Sequence, residues 1–447
     1  MDLNRRTLVT GSAGAGLLAM GGLVASPAAA SPGRPSKAGN ALPKPPKGSP
    51  EHVAGQERFW ASVARHYDMT DDVINFENGY FGANPKNVRR AFTQATEKIQ
   101  HENSWYMRRE YGSEVEQVRV RIAQEVGASV EEIAITRGAT EALQALIAGY
   151  NRLGPGDAVA YADLDYDSMQ YAMEWLRDRR GVEVIKTNLP EPATRQAVLD
   201  HYERLLTTNP KIKLLLLTHV SHRTGLVPPI AAITEMAAAR GVDTVVDAAH
   251  SWGQLDFSVK DLGSPFVGFN LHKWIGAPLG CGFMYIQEDR LPAIDRHFGD
   301  QDYGPEDVRS RIHTGTANSA NYLAVPAALD FHAAVGAPYK QARLRLLRDR
   351  WVHQVLEVPN VEILTPEDPL TYGAITAFRI TGNTTSAQTT AIANYMTDEW
   401  GVFTVRRGGV AAGEVLRVSP ALYNDVKDAD RAAEAIRAAA RRFRVAD

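Results

Sequence analysis

An aspartate and a lysine lie at the ends of two predicted strands within residues 242–286. Asp247 follows an apolar, β-branched run that predicts a buried strand, and Lys273 follows a second apolar run and precedes a glycine-rich turn. This pair suits pyridoxal phosphate (PLP), a cofactor that needs an amine to bind its aldehyde and a carboxylate to keep its ring nitrogen protonated. Taken alone, Asp247 could cap a helix and Lys273 could be a solvated lysine, but the ordered residues around them favour the cofactor.

The pattern around this pair, D-A-A-H-S, N-x-H-K-W and then P-x-G-x-G, resembles that of the class V aminotransferases. This family of fold-type I PLP enzymes includes isopenicillin N epimerase-like proteins and cysteine desulfurases. The resemblance implies that Asp247 contacts the ring nitrogen and that Lys273 holds the cofactor and is catalytic. It also implies that His250 contacts the phenolic oxygen, and that Asn270 and His272 contact the phosphate. An isolated histidine would more often be a hydrogen-bonded core residue.

Gly138, Ala139 and Thr140 follow a short predicted strand and open a predicted helix. Backbone N–H groups at a helix start favour phosphate binding. A plain helix cap by Thr140 would explain the same residues without a ligand. Because the motif resembles the family's phosphate-binding sequence and precedes the lysine, we predict that these three residues bind the cofactor phosphate.

Three further residues match family positions. Tyr166 follows a predicted strand where the family places a ring that stacks on the cofactor. Thr316 lies in a segment that, in the family, reaches the neighbouring subunit's phosphate, so the resemblance implies a homodimer. Arg417, in the sequence R-V-S followed by Y-N, matches the arginine that binds the substrate's α-carboxylate through two parallel hydrogen bonds. A surface ion pair is the alternative for Arg417.

Other residues leave their role open. His222 and Arg223 could face the substrate or lie on a surface loop, and the glycine-rich residues 75–85 resemble an active-site segment of the family but equally fit a surface turn. The single cysteine, Cys281, excludes an intrachain disulfide and is expected to fill a small space. The loop cysteine of the desulfurases has no counterpart here, and no metal site is predicted.

Strands and helices alternate from residue 133 to 286, which predicts an α/β fold with a mostly parallel sheet and a ligand at the strand carboxyl ends. About 400 residues follow the N-terminal region, more than one core usually holds. The resemblance implies a fold-type I PLP transferase. We therefore expect a large PLP-binding domain with a seven-stranded sheet and an N-terminal arm, residues 51–335, and a smaller C-terminal α+β domain, residues 336–447.

Residues 1–30 carry paired arginines, an apolar stretch rich in small residues and an A-x-A site, which predict a twin-arginine signal peptide. Residues 31–50 are rich in Pro, Gly, Ser and Lys and are predicted to be a disordered linker. The mature protein is then expected to be periplasmic or secreted after export in the folded state, with no membrane span. A net charge of −3 disfavours nucleic-acid binding.

These patterns predict a PLP-dependent enzyme that acts at the Cα of an amino acid or of an amino-acid-containing metabolite. The reaction would be transamination or epimerisation of a small-molecule amino substrate. The alternatives are a periplasmic tailoring enzyme of a peptide siderophore, of the pyoverdine-maturation type, or a C–S lyase. A non-catalytic binding protein is disfavoured because Lys273 and Asp247 are both present, and a hydrolase because no G-x-S-x-G motif occurs.

Overall fold

The computed structural model describes residues 41–445, so the predicted signal peptide and the first half of the predicted linker lie outside the described residues. The strands are β1 (Ile74–Asn75), β2 (Ile133–Thr136), β3 (Ala158–Ala162), β4 (Glu183–Thr187), β5 (Ile212–Thr218), β6 (Asp243–Asp247), β7 (Phe266–Asn270), β8 (Gly282–Ile286), β9 (Val361–Ile363), β10 (Thr376–Ile380), β11 (Val402–Phe403), β12 (Val405–Arg407) and β13 (Val415–Val418). The helices are α1 (Pro50–Ala54), α2 (Glu57–Ala64), α3 (Lys86–Arg109), α4 (Tyr111–Val126), α5 (Ala139–Gly149), α6 (Asp167–Arg180), α7 (Arg195–Thr208), α8 (Ile230–Ala238), α9 (Ser319–Leu323), α10 (Val325–Val335), α11 (Ala337–Val352), α12 (Ser386–Trp400) and α13 (Val426–Arg442).

A seven-stranded sheet with the order β2-β8-β7-β6-β5-β3-β4 forms the centre of the fold. Strand β8 is antiparallel to both of its neighbours, and the other pairs are parallel. Both faces are covered, because Val245 of β6 packs with α5 and α6 whereas Val246 packs with α7 and α8 on the other side. This burial explains the continuous apolar strands and confirms the predicted α/β fold with a mostly parallel sheet.

A second sheet, of order β12-β13-β10-β9, is antiparallel throughout. It packs with α11, α12 and α13 around a core that includes Trp351, Phe378 and Ile436. Strand β1 pairs in parallel with β11, which brings the segment after α2 beside this sheet. The predicted division into domains at residues 335 and 336 stays a prediction.

The prediction that residues 31–50 are disordered is wrong for the last of them. Leu42 packs against an apolar cluster and Pro43 is buried. The hydroxyl of Ser49 accepts a hydrogen bond from the His52 N–H at 3.3 Å and so caps α1, while the Tyr339 hydroxyl donates to the Gly48 carbonyl at 3.1 Å. These contacts with α11 compensate for the conformational entropy that the segment loses when it becomes ordered. Its composition alone gave no sign of them.

Helix α3 contains a kink near its C-terminal end. Asn103 has a φ of 51° inside α3, and α4 begins at Tyr111. Among the helices of residues 41–445, none is both long and apolar enough to cross a bilayer.

Candidate active site

A cavity of about 1130 Å³ opens at the carboxyl ends of the central strands. Strands β12 and β13 of the second sheet form the opposite wall. The residues that the sequence predicts to bind cofactor or substrate line this cavity together: Gly138, Ala139, Thr140, Tyr166, Asp247, His250, Asn270, His272, Lys273 and Arg417. Thr316 is exposed and lies outside it.

Asp247 is the last residue of β6, and its side chain is held at the floor of the cavity. The Ala249 N–H donates to Asp247 Oδ1 at 2.9 Å, and the residue is 4% exposed. Burial raises the pKa of Asp247, whereas that backbone hydrogen bond and the charge of Lys273 oppose the rise. A carboxylate in this low-dielectric position would interact strongly with a protonated ring nitrogen.

Lys273 lies in the turn after β7, with its Nζ 2.9 Å from His250 Nε2. Desolvation lowers the pKa of Lys273 to about 7, while nearby Asp247 raises it and Arg417 lowers it further. The amine is therefore neutral in a large fraction of molecules near pH 7, and a neutral amine is the nucleophilic form.

His250 is buried, and its pKa lies well below the usual value, first because of burial and then because of the Lys273 charge. The Trp274 Nε1–H points to His250 Nδ1 at 3.4 Å. An imidazole whose Nδ1 accepts carries its proton on Nε2. His250 therefore presents an N–H toward the Lys273 amine and the cavity.

The first residues of α5 line the same cavity as Asp247 and Lys273. Gly138 is the N-cap of α5, so the alternative in which Thr140 caps the helix is wrong; Thr140 lies in the first turn, exposed at the cavity. The Ala139 N–H donates to Asn270 Oδ1 at 2.7 Å, and a Cβ on Gly138 would lie 2.9 Å from that oxygen. A larger residue at position 138 would therefore displace the Asn270 side chain from this hydrogen bond.

His272 lies beside the same helix start. Its Nδ1 is 3.1 Å from the Cys281 carbonyl oxygen, and burial lowers its pKa to about 4. The neutral ring therefore donates its Nδ1–H to that carbonyl. A helix N-terminus, a neutral histidine and the Lys273–Asp247 pair in one cavity fit the phosphate, aldehyde and ring nitrogen of PLP.

Arg417 of β13 is buried in an ion pair that the sequence did not indicate. Its Nη2 lies 2.6 Å from both carboxylate oxygens of Glu77, and its Nη1 donates to the His222 carbonyl at 2.7 Å. Arg407 Nη2 also donates to Glu77, at 2.8 Å. Burial lowers the pKa of Arg417 to about 10, with Glu77 opposing, so it remains charged at neutral pH. The predicted alternative of a surface ion pair is wrong because Arg417 is only 1% exposed.

His222 and Arg223, whose role the sequence left open, occupy different positions relative to the cavity. His222 lines the cavity, edge-on to the Tyr166 ring, with 5.3 Å between ring centroids. Burial lowers the pKa of His222 well below its usual value, and the charge of Arg223 adds to this effect. Arg223 itself is buried and pairs with Asp167 at 2.5 Å, so it is neither a surface residue nor part of the cavity wall.

Cys281 is buried in the apolar core next to β8, as predicted for a residue that fills space. Burial raises the pKa of its thiol above the usual value, which disfavours the reactive thiolate.

Comparison with known proteins places the chain in a family. The sequence profile described as "Aminotransferase class-V" matches residues 85–432. The chain belongs to the class V aminotransferase family. Members of this family are PLP-dependent enzymes, so PLP is the cofactor of this chain as well.

The relatives of this class V aminotransferase include enzymes with different reactions. It is 26% identical over 395 residues to an isopenicillin N epimerase from Streptomyces clavuligerus, covering 84% of this chain and 97% of the relative. It is 25% identical over 327 residues to a cysteine desulfurase from Haloferax volcanii, covering 68% and 74%. Among solved structures, the cysteine desulfurase CsdA from Escherichia coli superposes with a TM-score of 0.72 at 21% identity, covering 85% of this chain and 98% of that one. That likeness shows the fold-type I architecture.

Proposed function

We propose that this class V enzyme moves the proton on the Cα of an amino acid, or of an amino-acid-containing metabolite, in a transamination or an epimerisation. The observation that carries the proposal is the meeting of the Lys273 amine, the Asp247 carboxylate and the Arg417 guanidinium in one cavity. PLP, when bound, supplies an electron sink for the electrons of the bond broken at Cα.

The residues of this chain would divide the remaining work. Lys273 would hold the cofactor and, once the substrate displaces it, move the proton at Cα as acid and base. Asp247 would keep the ring nitrogen protonated. Arg417 and Arg407 together carry one positive charge more than Glu77, so Arg417 would attract the substrate's α-carboxylate and bring the Cα–H bond near the lysine amine. The start of α5 and His272 would bind the phosphate.

One observation supports a substrate other than a free amino acid. The two isopenicillin N epimerases, whose name gives isopenicillin N as the molecule that they act on, align with this chain over 97% and 98% of their own length. A desulfurase is not proposed, since the chain's one cysteine is buried in the core.

We also propose that residues 1–30 direct export of the folded, PLP-loaded protein to the periplasm or the medium. The paired arginines of that segment support this location. We further propose a homodimer in which Thr316 completes the neighbouring subunit's site, since Thr316 is exposed and lies away from the cavity of its own chain.

The first test is the absorption spectrum of the purified protein before and after borohydride reduction. A visible band that reduction fixes to the protein, and that Lys273→Ala lacks, is expected for PLP held by that lysine. A protein that stays colourless with added PLP, or a Lys273→Ala variant that is reduced like the wild type, would contradict the assignment. Lys86→Ala, at an exposed lysine, is the control.

The second test separates the two reactions. The loaded enzyme is incubated in D₂O with candidate amino acids and amino-acid-containing peptides, and the products are analysed by chiral chromatography and mass spectrometry. Epimerisation would give the opposite Cα configuration with one deuterium and the amino group retained. Transamination would give an oxo product in an amount that follows an added oxo-acid acceptor. If no substrate that shifts the visible band gives either an inverted Cα configuration or an oxo product, both reactions are contradicted.

A further inference from the structure

The turn that carries Lys273, residues 272–277, belongs to no helix or strand. Its carbonyl groups therefore need donors from elsewhere in the chain. The Gly82 N–H donates to the His272 carbonyl at 2.8 Å, and Asn84 Nδ2 donates to two further carbonyls of the turn, both at 2.8 Å. The segment around residue 80 thus holds the turn from one side.

Lys340 of α11 holds the same turn from another side. Its Nζ donates to the Trp274 carbonyl at 2.9 Å, and Trp274 directly follows Lys273 in the chain. The other partner of the amine is His332 Nδ1, at 3.0 Å. Lys340 is only 3% exposed, and no acidic residue of the described chain forms a salt bridge with it.

A buried amine without an acidic partner is costly, and an apolar side chain of similar length would fill the same space. Burial lowers the pKa of Lys340 to about 7, which reduces that cost by favouring the neutral amine. Either protonation state can donate to a carbonyl, so the hydrogen bond to Trp274 persists. Packing alone therefore does not explain a lysine at this position, whereas the bond to the lysine-bearing turn does.

A small cavity supports the same view. It has a volume of about 30 Å³, is lined by Lys340, Lys273, Trp274 and Tyr67 among others, and lies beside the turn. Without a fixed donor, the Trp274–Ile275 peptide would have room to shift toward this space.

We propose that Lys340 is a positioning residue for Lys273. It fixes the Trp274–Ile275 peptide, one residue beyond Lys273, and so limits the direction in which the Lys273 amine points into the cavity. The inference rests on the proposed role of Lys273, but the Lys340 contact itself can be tested without cofactor or substrate.

The test compares Lys340→Met with Lys86→Met in the full chain. Methionine matches the lysine side chain as far as Cε and removes the Nζ donor. The control removes a lysine that also donates to a backbone carbonyl at 2.9 Å, that of Arg65, but at the exposed surface. In cofactor-free protein, hydrogen–deuterium exchange in residues 272–277 is expected to speed up about tenfold in Lys340→Met, as for the loss of one net hydrogen bond, and to stay unchanged in Lys86→Met.

In PLP-loaded protein, the same variant is expected to shift the pH midpoint of the visible band and to speed hydroxylamine release of PLP from Lys273 about tenfold. A purely structural role would lower the free energy of unfolding and leave these spectral properties as in Lys86→Met. Unchanged exchange in the turn together with an unchanged band would overturn the proposal.

If Lys340→Met does not fold, His332→Ala serves in its place, since it removes the group that orients the Lys340 amine. A smaller acceleration of exchange in the same turn is expected, and wild-type exchange there would overturn the proposal. If borohydride fails to fix PLP to Lys273 in the wild type, the proposed function is contradicted. The exchange experiment would still test the contact between Lys340 and the turn, because it uses cofactor-free protein.

Discussion

Replacing Glu77 by glutamine would test whether the buried ion pair stabilises the cavity wall formed by β12 and β13. The Glu77 side chain is 9% exposed and that of Arg417 is 1% exposed, with 2.6 Å between the charged groups. Arg407 shares the same carboxylate at 2.8 Å. An arginine cannot relieve an unpaired charge by losing its proton at neutral pH. Glu77→Gln therefore leaves two guanidinium groups in the cavity wall without their counter-charge.

Removal of one partner from a buried ion pair costs about 3–5 kcal/mol of stability. Because the glutamine carbonyl still accepts one hydrogen bond, we expect the lower end, about 3 kcal/mol. The assay is urea-induced unfolding of the cofactor-free protein, followed by circular dichroism. The matched control is Asp68→Asn, which breaks the pair with Arg89; these two side chains are 62% and 50% exposed. An exposed pair of this kind contributes about 0–1 kcal/mol.

Equal losses in the two variants, within about 0.5 kcal/mol, would refute the reasoning, because burial would then make no difference to the value of the pair. A loss in Glu77→Gln that sodium chloride abolishes would refute it too, since salt screens exposed charges far more than buried ones.

Three further predictions concern the lysine turn and the cysteine. Desolvation lowers the pKa of Lys273 to about 7, so the rate of PLP uptake by the cofactor-free protein should fall as the pH drops through about 7 and stay constant above it. Stopped-flow absorbance measures this rate. A rate that becomes constant only near the usual lysine pKa would contradict the prediction. Gly82→Ala would place a Cβ 2.0 Å from the Lys273 carbonyl oxygen, so it should lower the free energy of unfolding in urea by about 1–3 kcal/mol and weaken PLP retention. The control Gly112→Ala places its Cβ where no atom lies within 4 Å, so it should raise the free energy of unfolding by up to about 1 kcal/mol. Cys281 should resist iodoacetamide in the folded protein and react after unfolding, as mass spectrometry would show; rapid labelling of the native protein would argue against the buried position.

Local pattern was sufficient for the elements that carry the cofactor groups. The apolar runs ending near residues 162, 218, 247 and 271 are strands β3, β5, β6 and β7, and the parallel arrangement brings their carboxyl ends to one edge. Asp247 and Lys273 consequently line one cavity, because Asp247 ends β6 and Lys273 follows β7. This much could be predicted since strand periodicity and strand ends are properties of short stretches of chain.

Only the tertiary structure decided which groups face Arg417 and which hold the turn that carries Lys273. Glu77 and Arg417 are 340 residues apart, and Lys340 lies 66 residues from the carbonyl that it holds. The early segment around Glu77 and Gly82 joins the site because β1 pairs with β11. Likewise, residues 42–50 are ordered by contacts with α11 that their composition cannot reveal. Spacing along the chain specifies local geometry, whereas pairings of this kind follow from packing one completed element on another, so they exist only once the whole fold has formed.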